Sequence, residues 1–188
     1  MRPLAAAVEL AGVVALAFTS RNGVEAFAGL SRERALPVFT VGDATADAAR
    51  AHGFSSVRSA DGALADLAAL LIAGAPQPGQ VLAPGALEPA GDLPMLLAGR
   101  IEARALPVYE AVETGGPAPQ AFDAVLLHSA RAARAFGALG PFPDARVVVL
   151  SDGVASALGD RGGREIRIAA APDESALLAA LGKPAPRV

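Results

Sequence analysis

The chain has no cysteine, no tryptophan and a single lysine, and each shortage narrows what it can be. Without thiols there is no disulfide framework and no thiolate metal site, and the two histidines, His52 and His128, offer no ligand cluster. Aromatics are scarce too: one tyrosine and seven phenylalanines leave Ala, Leu and Val to build the core, as in helices packed tightly on sheets. No apolar stretch is long and uninterrupted enough to span a bilayer. The opening run to Phe18 is broken by Glu9 and has no cleavage site, so it reads as a soluble helix over Ala5 to Ala11 and a buried strand over Val13 to Phe18. These features describe a cytoplasmic, membrane-free protein. A net charge of −3 with no basic stripe excludes nucleic acid as the expected partner. With Lys183 the only lysine, the positive charge is arginine, whose planar fork suits carboxylates; a GC-rich genome's codon preference explains it equally well.

The 188 residues accommodate two modest α/β domains. Short Val- and Leu-rich runs alternate with Ala-rich helical stretches, the pattern of a parallel sheet with crossover helices. Expected strands are Val13 to Phe18, Pro37 to Val41, Ser56 to Arg58, Gln80 to Ala83, Glu102 to Val112, Ala124 to His128, Arg146 to Leu150 and Glu165 to Ala169. Helices begin near Asn22, Asp43, Gly62, Asp92, Ala130, Asp152 and Asp173, several with an Asn or Asp placed to cap free amides.

An internal repeat organises the whole. Leu16-Ala17-Phe18-Thr19-Ser20 leads to Phe27 as Leu126-Leu127-His128-Ser129 leads to Phe136, and both copies reach a second strand end, Val41-Gly42-Asp43 and Leu150-Ser151-Asp152. The offsets agree, 129 − 20 = 109 and 152 − 43 = 109. Gly53 and Gly162 keep the register, and Leu70 and Leu71 correspond to Ala180 and Leu181 after a one-residue slip. Duplication of an α/β unit implies two doubly wound domains, over residues 1–113 and 114–188, with a hinge around 104–120 that includes the Gly- and Pro-rich stretch Thr114 to Gln120. Such sheets bind ligands at the carboxyl ends of strands, where the Ser20 and Ser129 loops sit.

The strand ending in Thr19-Ser20 turns into a helix at Asn22-Gly23, offering hydroxyls and free amides to an anion, or simply a helix cap. Gly42 at a strand end lets backbone approach a ligand, while Asp43 beside it suits either ligand contact or capping. Neither a dinucleotide fingerprint nor a phosphate loop occurs, so nucleotide binding is not expected. Tyr109, the only tyrosine, stands where a phenol can face a cleft as donor or acid, or pack amphipathically. His128 reads as a core or rim histidine rather than a base, and Ser20 lacks the nucleophile elbow of a hydrolase.

The succession Ala17-Phe18-Thr19-Ser20-Arg21-Asn22-Gly23-Val24, Val41-Gly42-Asp43-Ala44-Thr45-Ala46 with Gly53-Phe54, Ser59-Ala60-Asp61-Gly62, Val108-Tyr109 and Leu127-His128-Ser129, with the tail Ala171 to Leu178, resembles the uroporphyrinogen-III synthase family over essentially the whole chain. The resemblance implies two flavodoxin-like doubly wound parallel-sheet domains joined by a two-stranded hinge, holding the substrate without metal or organic cofactor. It implies a lyase reaction in which hydroxymethylbilane, the small-molecule partner, loses water and closes with inversion of ring D; the protein itself is expected to be a monomer. Tyr109 falls on the family's functional tyrosine, assisting departure of the hydroxyl. Thr19, Ser20, Thr45 and Ser129 match cleft-lining positions, and Arg21, Asn22, Gly42 and Asp43 complete the expected substrate-binding loops. Helix-start amides near Ser20, Asp43 and Ser129 would meet the substrate's carboxylates.

Two departures follow. A hydroxyl expected near Val154 is absent. Family members also begin with a strand, helix and strand belonging to the C-terminal domain, and this chain starts after them, leaving that domain three strands. The expectation is a truncated or misassigned start, with a marginally stable, aggregation-prone, weakly active product whose first half, with five strands, is the better folded. Two rivals remain: a degenerate relative that binds a tetrapyrrole or a partner without catalysis, and a two-lobed small-ligand binding protein of periplasmic type, against which the lack of a cleavable signal counts.

Overall fold

The computed structural model of the chain describes residues 1–113, 115–117, 122–159 and 165–182. Thr114 and Gln120 of the expected hinge, and Gly162 of the repeat, lie outside these. The chain divides into two compact units, Met1–Val112 and Glu113–Val188.

The first unit runs β1 (Arg2–Pro3), β2 (Val13–Phe18), α1 (Arg21–Leu30), β3 (Val38–Thr40), α2 (Asp43–Ala51), β4 (Val57–Ser59), α3 (Leu64–Gly74), β5 (Gln80–Ala86), α4 (Leu93–Leu97) and β6 (Glu102–Glu110). Its six strands lie in the order β1-β6-β5-β2-β3-β4. All neighbours are parallel except β1, which pairs antiparallel with β6 at Arg2↔Glu110 and Pro3↔Tyr109. Strand β2 is central and almost wholly buried, because VVALAF is apolar on both faces, as a strand covered by helices on two sides must be. Leu16 and Phe18 join Val24, Phe27 and Phe54 on one face, whereas Ala15 and Ala17 join Leu67, Leu71 and Leu97 on the other. Successive residues of a strand point to opposite faces, so one six-residue run anchors both layers.

The expected helix over Ala5 to Ala11 does not form. Leu4, Ala6, Val8 and Leu10 are half-buried while Ala5, Ala7 and Glu9 are exposed, an alternation of period two that belongs to extended chain. Ala6, Val8 and Leu10 pack on the core, and the Leu4 amide donates to Val108 O at 2.9 Å. Alanine's helix propensity, a weak preference, loses here to burial of alternate side chains. Just ahead of this segment, Arg2–Pro3 add the antiparallel strand that a purely parallel reading leaves out.

The second unit runs β7 (Ala124–Leu127), α5 (Ala130–Ala138), β8 (Arg146–Val149), α6 (Asp152–Leu158), β9 (Ile166–Ile168) and α7 (Glu174–Leu181), with three parallel strands in the order β7-β8-β9. It repeats β2-β3-β4 to the residue: Leu16↔Val38 becomes Val125↔Val147, and Val38↔Val57 becomes Val147↔Ile166, each shifted by 109. Its core splits into the same two layers. Leu127 and Val149 of the strands pack with Phe136 of α5 and Val154 of α6 in one layer, while Val148 packs with Leu177 of α7 in the other.

Candidate functional site

In the first unit the chain passes from β2 through α1 to β3 on one side, whereas β5 pairs with β2 on the other. The crevice beyond the carboxyl ends of β2 and β5 is therefore a topological switch point, where doubly wound sheets receive ligands. Ser20 follows β2 at that edge and caps α1, its Oγ accepting from the Gly23 amide at 3.0 Å. Gly23 has to be glycine: a Cβ there would stand 2.9 Å from Pro84 O of β5. This close approach seats the amino end of α1 directly on the strand ends.

Tyr109 arrives from two strands away. The β5–β6 register slips between Gly85 and Ala86, so Ala86 faces Tyr109 rather than Val108. A bulge lets neighbouring residues share a face. Val108 and Tyr109 accordingly both enter the core around Phe18 and Phe27. Tyr109 is 8% exposed, and its hydroxyl lies 3.0 Å from Ser20 Oγ. Strand β1 and the Leu87 amide, which donates to Tyr109 O at 2.8 Å, hold the backbone on either side.

Ser20 also borders an open groove of about 600 Å³ between α1 and α2, lined by Arg21, Asn22 and Glu25 on one side and Ala44, Thr45, Ala48, Ala51 and His52 on the other. Both helices begin at this end. Among the described residues, no hydrogen bond or ion pair engages the side chains of Arg21, Asn22 or Thr45. Thr45 is buried at 6% exposure, and a buried hydroxyl ordinarily has a partner. Arg21 occupies the first helical position, where the helix dipole disfavours a cation. A cation and a hydroxyl without partners among the described residues, at two helix starts, are groups whose chemistry suits a carboxylate.

The structure thus brings Ser20, Arg21, Asn22 and Thr45 to one groove and connects Tyr109 to it through Ser20. Gly42 caps α2 through its backbone alone, while Asp43 is the first helical residue, exposed, and neither caps the helix nor lines the groove. Thr19 is exposed at the end of β2, outside the groove. Ser129 belongs to the second unit and caps α5, accepting from the Ala132 amide at 3.2 Å. Of the two places expected for His128, core or rim, it does not take the core: it is exposed, with its Nε2 2.7 Å from Glu174. Val154 is buried in its core. Sequence reasoning did not assign Glu25 of α1 to the site, nor Ala44, Ala48, Ala51 and His52, whose signal was a three- and four-residue spacing along one face of α2.

Among the described residues there is no grouping of His, Asp and Glu able to hold a metal ion, and no helix long and apolar enough to cross a membrane. No curated protein matches the chain. Among solved structures it is similar to the uroporphyrinogen-III synthetase of Helicobacter pylori, at 20% identity over 94% of this chain and 86% of that one, with a TM-score of 0.69. It is also similar to a mutant uroporphyrinogen III synthase of Thermus thermophilus, at 18% identity over 91% and 77%, with a TM-score of 0.50. At these identities the likenesses establish the two-unit α/β fold. The family model described as uroporphyrinogen-III synthase HemD matches residues 2–179, nearly the whole length, and on that match the chain belongs to the uroporphyrinogen-III synthase family of lyases.

Proposed function

We propose that the chain is a uroporphyrinogen-III synthase, closing hydroxymethylbilane with inversion of ring D and loss of water. It acts as a cytoplasmic monomer without a cofactor. The observation that carries the reading is the 3.0 Å contact between the Tyr109 hydroxyl and Ser20 Oγ at the switch point, beside a groove with an unpaired arginine.

A hydroxyl is a poor leaving group until it gains a proton, so the first chemical need is a positioned donor. Ser20 Oγ already accepts from the Gly23 amide, and a hydroxyl has two acceptor sites and one proton. If it also accepts from the Tyr109 phenol, its own proton is free to point into the groove; if it donates to the phenol, the phenolic proton is freed instead. Either way the pair forms a two-hydroxyl relay with one proton to give and a buried aromatic ring fixing its position. The departing oxygen leaves as water, the bond electrons it takes are replaced by those of the pyrrole carbon that closes the ring, and the proton lost as the pyrrole regains aromaticity replaces the one the relay gave. Arg21, Asn22, Thr45 and the amides following Ser20 and Gly42 hold the substrate's carboxylates, with the Ser129-capped helix of the second unit offering the same chemistry. Thr19 and Asp43 contribute less directly, at the margins of these loops.

The test is Tyr109→Phe, assayed with enzymatically generated hydroxymethylbilane and resolution of type I from type III product. Loss of an assisting acid is expected to lower type III formation by roughly 10²-fold or more. Stability should change by only about 1 kcal/mol, the worth of one hydrogen bond. Full isomer-specific activity in the variant would reduce Tyr109 to packing. A wild-type chain that binds the substrate without producing type III isomer would make it a binding relative without catalysis, the reading that the absent hydroxyl at Val154 favours.

A further inference from the structure

We infer that Arg34 is a positioning residue for the groove, setting the separation of α1 and α2 by binding the far ends of both helices at once; this rests on the reading of the groove as the substrate site. The guanidinium donates from Nη2 to Ala28 O in the last turn of α1 at 3.2 Å and from Nη1 to O of Ser31, the α1 C-cap, at 2.9 Å. From Nε it donates to O of His52, the α2 C-cap, at 2.6 Å. Its Nη1 also reaches Glu33 O at 2.6 Å, and its plane lies over Phe54, 4.8 Å from the ring centroid.

Helix α1 has no basic residue in its last turn, and Arg50 in the last turn of α2 is engaged with Asp47 of the same helix. Arg34 therefore supplies one cation to the negative ends of two dipoles. Because its five donors sit in a rigid fork, the carbonyls it holds are fixed relative to each other as well as neutralised. A straight helix of nine or ten residues is about 14–15 Å long and nearly rigid, so a shift at the clamped ends reappears at Ser20 and Gly42. His52 lies at both places, with its carbonyl on Arg34 and its residue lining the groove.

The fold unit does not itself require this clamp. The position 109 residues on is Pro143, and there Phe142 stacks on Phe136 at 4.9 Å instead. To its own aromatic packing of Phe27 and Phe54, the repeat that carries the groove adds directed hydrogen bonds from Arg34, where the other repeat has aromatic packing at Phe142.

Arg34→Ala should raise KM for hydroxymethylbilane roughly ten- to hundredfold with kcat little changed, the signature of lost ground-state positioning. Arg34→Lys should fall between, since an ammonium replaces the charge without the fork, and added guanidinium ion should lower the KM of the alanine variant. Arg50→Ala, which breaks only a bond within α2, should leave KM as it is. An unchanged KM, or a loss of activity that only tracks the folded fraction, overturns the proposal. If the wild-type chain forms no type III product, the reading of the reaction fails. Amide exchange then decides for Arg34: faster exchange at residues 21–24 and 43–46 of the alanine variant supports the clamp, and unchanged exchange overturns it.

Discussion

Shifted by 109 residues, the two units make the same bonds: Val41 N to Phe18 O recurs as Leu150 N to Leu127 O, and Ala60 N to Thr40 O as Ala169 N to Val149 O. Yet β2 has β5 on one side and β3 on the other, whereas β7 pairs only with β8 among the described residues. The contrast shows what a neighbour does to a conserved unit. Ala15, Leu16 and Ala17 are shut between two strands and two helix layers, while their counterparts Ala124, Val125 and Leu126 remain half-buried. Ile166 and Ile168 of β9 stay 43% exposed. The clearest trace is a single position: Gly23, pressed against Pro84 O of β5, corresponds to Ala132, which meets no such strand among the described residues.

The largest effect should separate the two cores. Phe27 is fully buried and meets Phe18 edge-on at 5.8 Å, whereas its counterpart Phe136 is 8% exposed. Phe27→Ala is expected to cost about 3–5 kcal/mol in denaturant unfolding, and Phe136→Ala to fall at the low end of that range or below it. Equal losses would mean that the smaller unit packs as tightly as the larger.

The next effect tests the trace left by β5. Gly23→Ala drives a methyl into a backbone oxygen and should cost about 1–3 kcal/mol, as overpacking does. The reverse change, Ala132→Gly, should cost only the helix-propensity difference, roughly 0.5–1 kcal/mol. Unfolding of the two variants checks this directly. If Gly23→Ala were neutral, the amino end of α1 would not be seated on β5 and the geometry of Ser20 would need another cause.

The smallest effect is electrostatic and belongs to the second unit alone. Hydrogen bonds from Arg167, and then from Arg146, hold the Glu165 carboxyl below its ordinary pKa. A carboxylate whose pKa is depressed on folding binds fewer protons folded than unfolded, so its contribution is present above the unfolded pKa of about 4 and is lost as pH falls through the folded one. Ser56 and Pro37 stand at the matching places of the first unit, and Arg58 there lies over Phe39 instead. Wild type and Glu165→Gln should therefore differ modestly in stability near neutrality and converge in acid. A difference that persists at the lowest pH would assign the effect to something other than this carboxylate's charge.

The duplication was legible because Ser20 and Ser129 recur with their strands and phenylalanines, and because an N-cap serine three residues ahead of a free amide is a local device. Asp43 was harder to place, since a carboxylate at a helix start suits both the cap and the first turn, and backbone geometry gave the cap to Gly42. The alanines at the start of the chain misled for the opposite reason: their local preference was clear and weak, and the packing of Ala6, Val8 and Leu10 overruled it.

By itself the sequence determined the alternating strands and helices, the repeat at 109, the helix starts and the family, because each rests on periodicity or on contacts a few residues apart. Only the tertiary structure decided that Tyr109 touches Ser20, 89 residues away, and that Arg34 joins the ends of two helices. It also placed an antiparallel strand on β6. Those outcomes depend on a bulge at Gly85 and Ala86, on strand order and on which edges lie free, and none of these leaves a periodic mark along the chain.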